Sequence, residues 1–408
     1  LAISGAGDKA LTGGRSVHTY GTTTWRGATG ANNNDFYTGP ATFTNHGTFV
    51  DDNAFNTIVR DWFAGDPARF VNLGTFRKTS ATVSRLEWVF DNQGTMDLDA
   101  GTLLLVRGGT NSGGIDLASG AVLQLASGDV AWNEGSAVSG AGRLLLSGAE
   151  LTVNADIELA HIDLAGGTLT GSATVALTGT GSTWTSGFMT GGGTTRILAD
   201  ADLTLSGSNR KYLGARILDL QGTLVESSTG DLLDLEGAAT LNLSGLLDIR
   251  GDTAWQDYSS ASGSLALNLA DTGIIRKSAG AGQFEFLHTT LDQSGRVEVQ
   301  SGTIGLGGAS SSDGEYVTGA GTEIAFLYGT HVWNEGVTVT GDGTIALRNL
   351  TGSLAATLDV AAARIDVPRL DLRVLATLTG TGTVALTGTE SEWTGGFMTG
   401  GGTTRIEA

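Results

Sequence analysis

The sequence predicts an all-β protein, a parallel β-helix or β-solenoid built from two homologous blocks of about 200 residues. Three observations predict it. Trp184 to Ile197 reads WTSGFMTGGGTTRI, and Trp393 to Ile406 repeats it with one change, Ser186 against Gly395. Short runs alternate apolar and polar residues, as in Thr240-Leu241-Asn242-Leu243 and Arg296-Val297-Glu298-Val299. The chain is rich in glycine, 64 of 408 residues, with only 3 prolines. Strands need every backbone donor, which proline lacks, and tight corners suit glycine.

The duplication extends beyond the opening peptide. Trp132-Asn133-Glu134-Gly135 recurs as Trp333-Asn334-Glu335-Gly336, and Arg77-Lys78 as Arg276-Lys277. Leu1-Ala2-Ile3-Ser4-Gly5 resembles Leu203-Thr204-Leu205-Ser206-Gly207, which places one block at 1–202 and the second, continuous with it, at 203–408. The second block gains six residues just after Val367, near Pro368 and Arg369. The matched termini lead us to expect a segment cut from a longer tandem array.

Inside a block the apolar period is two, the signature of half-buried strands. The best helical candidate, Ala54 to Phe63, is short. A sandwich of hairpins would need more turns of the Asn-Gly or Asp-Gly kind than Asp313-Gly314 and Asp342-Gly343. In a solenoid each strand pairs with its equivalent one coil away, so those turns are unnecessary. Coils of roughly 20–25 residues would make about 16–20 of them. The stretch from Arg26 to Phe70 is less regular and richer in Asn, Asp and aromatic residues.

Blocks reading W-T-x-G-x-M-x-G-x-G-T-T-x-I (Trp393 to Ile406), L-x-L-S-G (Leu203 to Gly207), G-T-F-x-K (Gly74 to Lys78) and G-x-V-x-V-Q-S-G-T-L-x-L (Gly295 to Leu306, with Ile304 in place of Leu) resemble tandem repeats of large secreted bacterial surface proteins. They are also similar to the parallel β-helices of filamentous-haemagglutinin-like adhesins and autotransporter passengers. That resemblance implies a secreted or cell-surface location and roles in adhesion, matrix or filament building. It brings no catalytic residues with it.

Composition narrows the partners. A formal charge of −19 disfavours nucleic acids and anionic membranes. Cysteine is absent, which removes disulfides and thiolate metal sites. No apolar run is long enough to span a bilayer. The solenoid ends suggest head-to-tail self-association, and a glycan or cell-surface ligand is the other partner class considered.

Site candidates are few. None of His18, His46, His161, His288 and His331 has a second histidine at a recognised metal spacing. Gly191-Gly192-Gly193 lacks the aspartate of a G-G-x-G-x-D calcium nonapeptide, so calcium has no motif behind it. No cofactor and no catalytic residue is expected. The one candidate sugar or cation contact is Asp51, Asp52, Arg60, Asp61 and Trp62, followed by Phe63, where an aromatic ring beside carboxylates could hold a sugar. The competing reading is a loop whose aromatics pack back on the body. The repeated tryptophans Trp132/Trp333 and Trp184/Trp393 are read as structural. The expected function is therefore a noncatalytic stalk, spacer, adhesive segment or filament subunit. The alternative is a carbohydrate-binding or polysaccharide-degrading β-helix.

Overall fold

The computed structural model describes residues 1–5, 7–26, 36–62, 66–229, 233–235, 239–256, 265–351 and 354–407. Among these the secondary structure is all strand, with no helix. Every strand pairing described is parallel except one, between Asn349–Thr351 and Leu354–Val360. The chain is a parallel β-solenoid of stacked coils. Its contacts gather into two compact units, Leu1–Thr195 and Arg196–Ala408.

In the first unit, Thr48–Asp51, Thr75–Lys78, Thr95–Leu98 and Gly114–Leu117 lie in parallel register, with Phe49, Phe76, Met96 and Ile115 in one inward row. In the second unit, Leu224, Leu247, Ile275, Val297, Tyr316 and Val339 form the equivalent kind of row. Successive members of these rows are 19 to 28 residues apart, which brackets the coil length read from the sequence. The period-two alternation works as expected: Leu103, Leu105, Leu123 and Leu125 are buried while Leu104 and Gln124 lie half-exposed between them.

Interior side chains stack on their own kind. Phe43, Phe70 and Phe90 lie nearly parallel, with centroids 5.2 and 5.1 Å apart. Phe49 stacks on Phe76 at 5.5 Å and meets Phe43 and Phe70 edge-on. Strands about 4.8 Å apart set this spacing, and each aromatic pair adds roughly 0.5–1.5 kcal/mol beyond area burial.

A polar row runs beside them. Asn45 Nδ2 donates to Asn72 Oδ1 at 2.8 Å, Asn72 Nδ2 to Asn92 Oδ1 at 2.8 Å, Asn92 Nδ2 to Asn111 Oδ1 at 2.7 Å, and Asn111 Nδ2 to Ser136 Oγ at 2.9 Å. All five residues are buried. Each asparagine opens an Asn-x-Gly corner: Asn45-His46-Gly47, Asn72-Leu73-Gly74, Asn92-Gln93-Gly94, Asn111-Ser112-Gly113. A Cβ on Gly74 would overlap the carbonyl oxygen of Gly47, and one on Gly94 that of Gly74. The corner therefore requires glycine.

Three expectations change. The stretch Ala54 to Phe63 contains a strand, Thr57–Asp61, because β-branched Thr57, Ile58 and Val59 alternate in and out on the pleat; Phe63 lies outside the described residues. The irregular stretch Arg26 to Phe70 includes the first members of the aromatic and asparagine rows, Phe43, Asn45, Phe49 and Phe70, which are buried; residues 27–35 and 63–65 lie outside the described set. Of the four repeated tryptophans, Trp132, Trp184 and Trp333 are buried, whereas Trp393 is 62% exposed. The residues gained after Val367 separate Arg364–Val367, Leu370–Leu372 and Thr377–Gly380, where the first block has one strand, His161–Thr170.

Candidate functional site at the Trp62 corner

The five sequence candidates do not form one site. Asp51 closes the strand Thr48–Asp51 with its side chain inside. Its Oδ1 accepts from Asn53 Nδ2 at 2.5 Å, and its Oδ2 lies 3.7 Å from the fully buried Lys78 Nζ. Burial pulls the Lys78 ammonium below its usual range, against the attraction of Asp51. Asp52 points the other way. Its carboxylate pairs with Arg26 at 2.7 Å and accepts from Thr79 Oγ1 at 3.1 Å. Asp51 is thus a structural interior acid, and Asp52 one of the outer ion pairs.

Arg60, Asp61 and Trp62 end the next strand, and the register brings other residues to them. Phe36–Thr38, Thr57–Asp61, Val83–Leu86 and Thr102–Leu105 stack in parallel. Their C-terminal ends form one corner. Trp62 N donates to Thr38 O at 3.0 Å, which fixes the backbone, while the indole stays 68% exposed. The ring sits edge-on to Tyr37 at 5.8 Å. It does not pack back into the interior, because its neighbour Asp61 already faces inward. The Asp61 amide donates to Glu87 Oε2 at 3.1 Å, and Asp61 Oδ2 accepts from Arg107 Nη2 at 3.0 Å. Asp61 Oδ1 is buried with no hydrogen-bond partner. Glu87 Oε1 accepts from Arg85 Nε at 3.0 Å. The exposed indole, edge-on to Tyr37, suits the apolar face of a sugar; the Asp61–Arg107 and Glu87–Arg85 pairs of the same corner are bonded to one another.

Reading the sequence found Asp61 and Trp62 but missed Tyr37, Arg85, Glu87 and Arg107. Each joins through coil-to-coil register, a relation without a local sequence signal. It also missed that His18 and His46 meet. Elsewhere the outer charges pair one coil apart, as in Arg77–Asp99 at 2.7 Å, Arg143–Asp163 at 2.8 Å and Arg196–Asp219 at 2.6 Å. His161 shares a strand face with Asp163, and its ring nitrogen lies 3.3 Å from Gly142 O.

The scarce lysines serve turns. Lys9 Nζ donates to Gly5 O and Gly7 O at 2.6 and 2.7 Å; Lys211 to Asn209 O at 3.0 Å; Lys277 to Ala279 O at 2.7 Å and Asp252 Oδ1 at 2.6 Å. Among the described residues, no group of three or more His, Asp or Glu side chains is placed to hold a metal ion. Among the described residues, no helix is long and apolar enough to cross a membrane.

No family model, curated protein or solved structure matches the chain. Its fold rests on the geometry, and its function on the chemistry of the surfaces.

Proposed function

We propose that the chain is a noncatalytic structural or adhesive segment of an extracellular bacterial surface protein, serving as stalk, spacer or filament subunit. The observation that supports this is the interior row Asn45, Asn72, Asn92, Asn111 and Ser136, with the phenylalanine rows beside it. These side chains are spent on holding each coil to the next. Outside, charge pairs such as Arg77–Asp99 and Arg143–Asp163 also bridge neighbouring coils, each worth about 0–1 kcal/mol. Such bonding resists pulling, which is what a spacer needs. The resemblance to adhesin and autotransporter repeats points the same way.

Single-molecule pulling between the two termini tests the reading. We expect discrete force peaks, each releasing chain in steps on the order of 60–100 Å, the extended length of one coil or small multiples of it. Smooth extension without peaks would remove the mechanical role.

A second reading has a specific observation behind it. The exposed indole of Trp62, edge-on to Tyr37, would make a carbohydrate-binding face on the first unit. A glycan array on the native chain and on Trp62→Ala tests it. Binding to a defined glycan that is lost in the variant supports the sugar reading, and no binding removes it.

A further inference from the structure

We propose that His18 and His46 form an open two-histidine site for a divalent transition-metal ion of the zinc, nickel or copper class. The two residues are 28 positions apart in sequence and one coil apart in space. Arg15–Thr19 pairs in parallel with Ala41–Asn45, so His18 lies opposite Thr44, and His46 follows that strand directly. The His46 amide donates to Thr19 O at 2.7 Å, which fixes the second backbone. Strand register thus fixes the two backbones, and the imidazoles meet across a two-residue offset in that register.

His18 Nδ1 stands 3.3 Å from His46 Nε2. The ring centroids are 5.6 Å apart and the planes 28° apart, so the rings lie roughly parallel and offset. Two nitrogens each about 2.0–2.1 Å from one tetrahedral zinc lie roughly 3.3–3.4 Å apart. As an N–H···N hydrogen bond the same separation is long, so little is lost when an ion takes the proton's place. Both imidazoles are exposed, so the rings can turn to present their nitrogens to a common ion. Tyr20 stacks on His46 at 4.4 Å with the planes 10° apart, which holds that ring in place. Water fills the remaining positions, leaving the ion able to accept a further ligand.

Imidazole suits zinc, copper and nickel, and neither ligand is a carboxylate of the kind that calcium and magnesium prefer. The net charge of −19 raises the local cation concentration without choosing a metal. Specificity therefore has to come from the histidine pair.

Calorimetric titration of the full chain with Zn²⁺, and separately with Ni²⁺, in excess Mg²⁺ tests the site. Magnesium occupies the carboxylate surface, so the remaining heat reports nitrogen ligands. We expect one ion per chain, and at least a tenfold weaker affinity in His18→Asn and in His46→Asn, since losing a ligand exceeds the 10–100-fold typical of outer-shell changes. His161→Asn, distant in sequence and with its ring nitrogen near Gly142 O, should bind as the native chain does. Both mutated side chains are outside the core, so unchanged circular dichroism is expected. Absence of binding, or binding equal in the native chain and both variants, overturns the proposal.

Discussion

The same backbone corner is built with two different side chains in the two units. In the first unit Asn45 O accepts from the amides of Leu73 and Gly74, and Asn72 O from those of Gln93 and Gly94. In the second, Leu220 O accepts from Ser244 and Gly245, and Leu269 O from Ser294 and Gly295. The residue before each x-Gly corner is buried in both units. In one it is asparagine bonded to asparagine; in the other it is Leu220 and Leu243, stacked in register with Leu269, and then Gln293. The glycine and the shared carbonyl define the corner. Within each run the inward side chain matches its neighbour one coil away, amide on amide or methyl on methyl; the leucine run ends where Leu269 meets the buried Gln293, whose Oε1 accepts from Ser312 Oγ.

The sharpest way to break this rule is to put one amide among leucines. Leu243→Asn removes a fully buried side chain and places an amide between Leu220 and Leu269, where no ladder partner exists. Cavity formation and an unsatisfied buried group together should cost about 4–6 kcal/mol. Urea denaturation of the full chain measures it. A loss under about 1 kcal/mol would show that the corner accepts either residue regardless of its neighbours.

The reverse exchange should be milder. Asn72→Leu takes the acceptor from Asn45 Nδ2 and the donor from Asn92 Oδ1. Asn45 keeps its bond to Thr75 O at 2.9 Å, and Asn92 its bond to Asn111, so the expected loss is roughly 2–4 kcal/mol. Replacing Asn45, Asn72, Asn92 and Asn111 together by Leu should cost less than four such losses, because partners disappear in pairs. Equal or greater cost per residue would mean that the asparagines serve the backbone and not each other.

This matching rule explains how much was legible. Alternation such as Leu103, Leu105, Leu123 and Leu125 is a local pattern, and it led to the fold. The asparagine row is not local. Asn72 reads as a loop residue until Asn45 and Asn92 stand beside it, and coil lengths of 27 and then 20 residues hide the period. The repeated Asn-x-Gly was the available signal. At the Trp62 corner, Asp61 and Trp62 are adjacent in sequence and were found, whereas Glu87 and Arg107 arrive by register. His18 and His46 escaped for the same reason: metal spacings within a strand or helix do not describe ligands one coil apart.

The comparison also predicts a difference in acid sensitivity. Asparagine rows carry no titrating group. The second unit contains a buried polar pair that does: His331 Nδ1 lies 2.8 Å from Ser310 Oγ, and its Nε2 3.0 Å from Tyr328 O. Since a carbonyl only accepts, Nε2 carries the proton and Nδ1 accepts from the serine. Burial pushes the His331 imidazole down to about 4, with the bond to Tyr328 O opposing that shift. An unfolded histidine titrates near 6.5, so between those values the unfolded chain binds the extra proton. Stability from this residue is therefore full above about pH 6.5 and falls as the pH drops toward 4, by up to about 3 kcal/mol. His331→Gln keeps polar contacts but cannot titrate, so the difference between native and variant unfolding free energies should shrink across that window and then level. Carboxylates titrate in both proteins and cancel in the difference. A difference independent of pH would place a charged or solvated imidazole at this position, and the interior of the second unit would then be less dry than the burial of His331 implies.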